Sequence, residues 1–344
     1  MPGIRDEIRS QPTVIRKTVE VVSAGLSKLT PYAAELKSGR PVIITGMGGS
    51  YSAGMLLQYG LIESGIPAFV IESSELLYHQ QALLANKPLI VMISQSGESR
   101  EIVRLLDELT TRRTDCTVVG LTNTPNSTLA QRSTHTLMMQ AGDEKTVSTK
   151  TYTCTLAALI LLNSVLTGSD HGVARQALEQ AAQALETSLP TWETQAKQVA
   201  ERIKATTFLE CLGRGAAKAS AFTAALITKE TAKLPTEAMV GGGFRHGPIE
   251  VVTPEISVMI FMGSGTDRSL NDLLAADIEA REASVIRIGS AIDHELGFNL
   301  PALADFIMPL VEIVPAQLVA VELAALRGFT PGEFRYIAKV TTKE

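Results

Sequence analysis

Short β-branched, apolar runs alternate along the chain with longer stretches in which apolar positions recur every three or four residues. The short runs of the first half are PVIITG, PAFVIE, PLIVMIS, CTVVGLTN and THTLMM. Between them lie AGMLLQYGLIE, REIVRLLDEL and YTCTLAALILLNSVL, which carry the helical period. Strand and helix alternating in this way predict a parallel sheet covered on both faces, because parallel strands need long crossovers and helices fill them. The order restarts near Thr207 with TFLECLGRG, ISVMIFMGSG, SVIRIGS and DFIMPL as expected strands.

The two halves superpose by register. Gly46-Met47-Gly48 falls on Gly213-Arg214-Gly215, Ser96-Gly97 on Ser264-Gly265, and Thr117-Val118-Val119 on Ser284-Val285-Ile286. The offset stays near about 167 residues, and the last expected strand pair, around Leu137 and Ile307, drifts slightly further. A near-constant offset over three features predicts a duplicated unit. The spacing gives an N-terminal helical segment over 1–30, a first domain over 31–170, a helical linker over 171–195, a second domain over 196–330 and a tail over 331–344. Pro190 is expected to interrupt the linker helix, and the boundary is placed near it.

Composition narrows the partners. Of 344 residues, 45% are hydrophobic and 19% charged, which suits well-buried sheets. The net charge of -5 and the absence of a basic run argue against nucleic acid, so an anionic ligand must be held by amides and hydroxyls. No apolar run approaches the roughly 20 residues that cross a bilayer, and the N-terminus lacks a signal-peptide core. A cytoplasmic protein with no membrane partner is expected. Cys116, Cys154 and Cys211 sit singly in apolar stretches without metal-ligand spacing and read as reduced core thiols. Neither a metal nor a cofactor is expected.

Candidate chemistry gathers at strand–loop–helix junctions, where helix amides and small side chains suit a phosphate. Gly46 to Ser52 follows the first strand, and Ser94-Gln95-Ser96-Gly97-Glu98-Ser99 follows the third. A further helix start, Glu144 to Thr151, again combines hydroxyls with lysines. The second-half counterpart, GSGTDRS, lacks the serine-glutamine-serine pattern, so only the first copy is expected to keep the phosphate loop. The second half offers instead Glu230 on the helix AFTAALITKETAKL and, 16 residues later, His246 on a glycine-flanked loop, a plausible acid/base pair.

These segments resemble the SIS (sugar isomerase) domain family, in the tandem arrangement of the isomerase half of glutamine–fructose-6-phosphate aminotransferase. GMGGSYSAGM, SQSGES, VSTKT, the stretch from KE through TEAMVGGGFRHGP, and Ala338-Lys339-Val340-Thr341 carry the resemblance over nearly the whole chain. It implies an α/β fold of two tandem SIS domains, each a flavodoxin-like three-layer unit with a parallel sheet flanked by helices. By the same resemblance Ser50, Ser94, Gln95, Ser96 and Ser99 would hold a sugar phosphate, with Ser99 replacing the family's usual threonine. Gly48, Val147 and Ser148 would line the sugar, although the loop carrying the last two is one residue short. Glu230 would move the proton between C1 and C2, His246 would help open the ring, and Lys339 would form a Schiff base with the ketose.

The resemblance also implies a homodimer in which the His246 loop comes from the neighbouring subunit. Beginning Met1-Pro2-Gly3, the chain is expected to lack the glutaminase domain and its cysteine nucleophile, and so to be unable to draw ammonia from glutamine. Thr223 and Ile227 stand where the aminotransferase has a glutamate and a lysine, and Gly243 replaces an acid, while GFRHGP resembles the amino-sugar and tagatose-6-phosphate branch. The expected function is a phosphosugar isomerase/deaminase on a hexose or amino-hexose 6-phosphate, most like glucosamine-6-phosphate deaminase. The alternatives are a fructosamine-6-phosphate deglycase, a plain aldose–ketose isomerase, and a non-catalytic sugar-phosphate sensor. The first 40 residues show no helix-turn-helix with a basic face, which sets aside a DNA-binding regulator.

Overall fold

The computed structural model describes residues 3–112, 115–336 and 339. The chain is an α/β protein with two five-stranded parallel sheets flanked by helices. It divides into two compact units, each holding one sheet. The first comprises Thr13–Glu144, Lys150–Glu179 and Tyr336–Glu344; the second comprises Met1–Pro12, Lys145–Thr149 and Gln180–Arg335.

In the first unit the strands are β1 (Val42–Gly46), β2 (Ala68–Glu72), β3 (Leu89–Ile93), β4 (Thr117–Thr122) and β5 (His135–Met138), in the order β2-β1-β3-β4-β5. Every residue of β1 and β3 is buried, which is why these strands read as nearly continuous apolar runs: helices cover both faces of a parallel sheet. The Arg100–Thr111 helix buries Ile102, Leu105, Leu106 and Leu109, and this stripe packs on Ile43, Ile90, Met92 and Val118. Each such leucine is worth about 1.5–3 kcal/mol in apolar surface removed from water. Across the unit the Gly49–Glu63 helix packs against the Lys150–Thr167 helix, whose buried residues surround its axis.

The second unit contains β6 (Phe208–Gly213), β7 (Thr236–Val240), β8 (Ile256–Phe261), β9 (Ser284–Ser290) and β10 (Gly297–Leu300), in the order β7-β6-β8-β9-β10. Relative to chain order this is the same arrangement as the first sheet. Two of its strands differ from the sequence expectation. DFIMPL forms no strand; its last residues open the Met308–Leu326 helix, and the fifth strand is the four-residue GFNL. An apolar run as short as Phe306–Leu310 cannot be assigned to strand or helix by periodicity, and here the run continues into a longer buried helix. The edge strand β7 is not among the expected strands; it pairs with β6 on one side and is mostly half-buried or exposed, so it lacks the apolar run of a central strand.

Two further expectations are corrected. Pro190 does not interrupt its helix, which runs unbroken from His171 to Arg202. Ala182, Leu185, Leu189, Trp192, Ala196 and Val199 are all buried at alternating spacings of three and four, and this stripe offsets the one hydrogen bond that proline removes. The Met308–Leu326 helix is long and apolar enough to cross a membrane, contrary to the reading that no such run exists. Its residues from Met308 to Ala324 are buried, and it packs along the Lys218–Ala232 helix, so its apolarity fills this unit's core.

That core contains charge. Glu312 is buried, accepts a 2.6 Å hydrogen bond from Ser220 Oγ, and has no partner for Oε2 among the described residues. Burial pushes its carboxyl up to about 7, against a weaker lowering by Ser220. Burial also raises Glu210 on β6 to about 7, helped by Glu237, its partner on β7. A carboxyl raised on folding favours the folded state while protonated, so its contribution is full below the unfolded value of 4.5 and is lost as pH climbs through about 7. Glu312→Gln should therefore match wild type near pH 4.5 and be more stable by about 1–3 kcal/mol above pH 7. Urea unfolding across that range measures it; parallel pH profiles for the two proteins would exclude the assignment.

Candidate functional site

In the first sheet β1 lies between β2 and β3, so the chain leaves it toward opposite sides, and a crevice opens beyond the strand ends. Gly46, the last residue of β1, pairs with Ile93, the last of β3, which brings the loops after both strands to this crevice. The approach is tight: a Cβ on Gly46 would lie 2.8 Å from Ser50 Cβ and 2.9 Å from Ile93 O. Gly48 takes a left-handed φ of 52° at the start of the Gly49–Glu63 helix, and Ser50 lies half-buried in its first turn.

The loop Ser94–Ser99 is held by its own serines. Gly97 N donates to Ser94 O and Oγ, both at 3.1 Å, and Ser94 Oγ lies 2.9 Å from Ser99 Oγ. Gly97 has φ +65°, and a side chain there would press on Ser127 and lie 3.0 Å from Thr122 Oγ1. Loop carbonyls are engaged on the β4 side: Gln95 O accepts from Asn123 N at 3.0 Å and Thr122 Oγ1 at 3.1 Å, and Gly97 O accepts from Leu129 N at 3.1 Å. Glu98 caps a neighbouring helix, accepting from Thr128 N at 2.6 Å and Thr128 Oγ1 at 2.9 Å. With carbonyls and acid engaged there, the half-buried Gln95, Ser96 and Ser99 stand at the start of the Arg100–Thr111 helix, whose first amides lack intrahelical acceptors. This arrangement suits an anion bound without a lysine.

Lys339 is fixed in the same unit. Its Nζ lies 2.7 Å from Glu144 Oε2, and the glutamate side chain is wholly buried. Glu144 also accepts from Thr151 N at 3.0 Å and Thr151 Oγ1 at 2.5 Å. Asn123 ties this segment to the serine loop: its backbone N binds Gln95 O, while its side chain bonds Ala141 N and Gly142 O, both at 3.0 Å. Sequence reasoning assigned no role to Glu144 or Asn123; a glutamate seven residues before a threonine at a helix start was the available signal.

The remaining candidates belong to the second unit. Glu230 is half-buried in the last turn of the Lys218–Ala232 helix, and Lys233 caps that helix with Nζ bound to Glu230 O. Burial lowers the Lys233 ammonium, with Arg335 adding to the effect. Thr223 and Ile227 are buried on the same helix, and Thr223 Oγ1 has no partner among the described residues. Val147 is buried and Ser148 half-buried in a loop that Glu7 holds from the N-terminal helix, through Lys145 N at 2.8 Å and Thr146 Oγ1.

His246 is exposed just after the short Gly241–Arg245 helix, ahead of Gly247, whose φ of 125° demands glycine. Arg214, at the end of β6, braces that segment. Its guanidinium lies 3.0–3.2 Å from where a Gly241 Cβ would be, and its Nε donates to Asn271 Oδ1 at 2.9 Å. Arg245 adds an ion pair to Asp277 at 2.6 Å. A Cβ on Gly243 would meet only Met239 Cε, at 4.0 Å, so packing leaves room for a side chain there. The crevice of this sheet differs from the first: Ser264 Oγ donates to the Asp305 carboxylate at 2.8 Å.

Among the described residues no group of three or more His, Cys, Asp or Glu could hold a metal. The three cysteines are free; Cys116 is half-buried, Cys154 and Cys211 are buried, and burial pushes the Cys154 thiol up to about 12.

Residues 35–164, the segment that carries the first sheet, match the SIS domain. It is 31% identical over 351 aligned positions to a glutamine–fructose-6-phosphate aminotransferase (isomerizing) of Pyrococcus horikoshii, covering 98% of this chain and 57% of the relative. The chain thus spans little more than half the length of such curated relatives. The C-terminal domain of glucosamine-fructose-6-phosphate aminotransferase from Francisella tularensis has a TM-score of 0.87 at 25% identity, covering 96% of this chain and 97% of that one. A glucosamine-6-phosphate deaminase from Thermotoga maritima shares the fold, with a TM-score of 0.79 at 21% identity over 98% of each chain.

The serine loop should not tolerate a Cβ at Gly97. Gly97→Ala combines a left-handed backbone with contact on Ser127, and is expected to cost about 2–4 kcal/mol in urea unfolding. A loss below about 0.5 kcal/mol would contradict the described packing.

Proposed function

We propose that the chain is a phosphosugar isomerase/deaminase acting on a hexose or amino-hexose 6-phosphate, built as two tandem SIS domains of flavodoxin-like layering. The observation that carries this reading is the Ser94–Ser99 loop at the crevice of a SIS sheet, its acid bound to Thr128 and its serines and Gln95 beside a helix start. The phosphate would be held by Ser50, Ser94, Gln95, Ser96 and Ser99, with Gly48, Val147 and Ser148 along the sugar.

His246 would promote ring opening by proton transfer at the ring oxygen and the anomeric hydroxyl. Glu230 would then carry a proton between C1 and C2, since one carboxylate can reach two adjacent carbons in turn. Lys339 would convert the open-chain carbonyl to an iminium, which acidifies the neighbouring C–H. Loss of ammonia from an amino sugar makes the reaction a deamination, in keeping with the activity named for the T. maritima neighbour. We further infer a cytoplasmic homodimer with the His246 loop supplied across the interface.

A panel of sugar 6-phosphates, with ammonia and ketose measured separately, tests the reaction. Ammonia from glucosamine 6-phosphate is the expected result. Fructose–glucose interconversion without ammonia would make the protein an isomerase, release of an amino acid from a fructosamine 6-phosphate a deglycase, and binding without turnover of any member a sensor. Glu230→Gln should lower kcat by about 10²–10⁴-fold with sugar-phosphate affinity within severalfold. Wild-type turnover in that variant removes Glu230 as the base.

A further inference from the structure

We propose that Glu144 is the positioning residue of Lys339 and takes up its proton as the amine adds to a ketose carbonyl. The proposal rests on the reading of Lys339 as the imine-forming lysine. An ammonium has no lone pair, so Lys339 must give up a proton before its nitrogen can attack. Glu144 Oε2 lies 2.7 Å from that nitrogen, in place to receive the proton. Thr151 N and Oγ1 fix the carboxylate from the other side, so the acceptor is oriented before any sugar arrives. A wholly buried carboxylate is costly unless it is paired and hydrogen-bonded, and here the lysine and Thr151 together meet that demand.

The step balances without a further reactant. One proton passes from Lys339 Nζ to Glu144, and the amine forms a C–N bond to the carbonyl carbon. The C=O electron pair moves to oxygen, which takes the proton from Glu144. The hydroxyl then leaves as water with a second hydrogen from nitrogen, and the iminium retains the third. Glu144 ends as a carboxylate beside a cation of the same charge as the one it held at the start. The Asn123 bridge from Gln95 O to Ala141 and Gly142 gives this pair a fixed relation to the serine loop, so a phosphate bound there is held at a set distance from the amine.

The test uses the full chain with fructose 6-phosphate and sodium borohydride, which delivers hydride to the iminium carbon and leaves a stable secondary amine on the lysine. Peptide mass spectrometry reads the adduct, and binding of glucitol 6-phosphate, which has no carbonyl, reads the phosphate site separately. Wild type should form the adduct at Lys339. Glu144→Gln keeps the side chain's shape but cannot take a proton; it should slow trapping and kcat by about 10²-fold. Its affinity for glucitol 6-phosphate should stay within about threefold of wild type by the same argument.

Glu144→Asp keeps the charge with a shorter reach, and an intermediate trapping rate is expected; it also serves if the glutamine variant does not fold. Wild-type trapping rates in either variant overturn the role of Glu144. Failure of the wild-type protein to form any adduct at Lys339, while it still binds glucitol 6-phosphate, overturns the reading of the lysine itself and this proposal with it.

Discussion

Parallel pairing of β1 with both β2 and β3 is the constraint on which the serine loop depends. Parallel strands send every outgoing loop to the same edge of the sheet, and the reversal of direction at β1 leaves room between two of them. Gly46 then lets the first turn of the Gly49–Glu63 helix lie against the end of β3 with no side chain between. Ser50 and the Ser94–Ser99 loop meet at the crevice as a consequence of backbone pairing, and their chemistry follows from that placement.

The first unit also controls where its negative charge lies. Glu98 is committed to Thr128, and Glu144 to Thr151 and Lys339. Loop carbonyls of Gln95 and Gly97 are satisfied from β4 and the segment after it. An acidic chain can in this way present donors at one loop without a basic patch. In the second unit the equivalent crevice is used differently: Asp305 accepts from Ser264, and Arg214 lies beneath the glycines that lead to His246. The same strand order supports two sets of contacts because the contacts belong to the loops.

Much of this architecture was legible in the sequence wherever a strand is buried on both faces. PVIIT, LIVMI and ISVMIF are nearly continuous apolar runs because helices cover both faces of each sheet. Legibility failed at the sheet edges and in the core helix. GFNL is short and pairs on one side, TEAMV is an edge strand with little buried surface, and the last residues of DFIMPL open a helix buried all round. Pro190 misled because a local rule, the missing donor, was outweighed by a buried stripe on its own helix.

Sequence alone determined the strand–helix alternation, the internal offset, the SIS-type motifs and the candidate residues that carry hydroxyls, carboxylate and imidazole. These are local properties, set by side-chain period and by turn chemistry. The tertiary structure alone decided which carboxylates are engaged, since partners such as Thr128 for Glu98 and Lys339 for Glu144 lie far away in sequence. It also decided that the most apolar helix lies inside the protein, because burial depends on what packs around a segment, which composition cannot report.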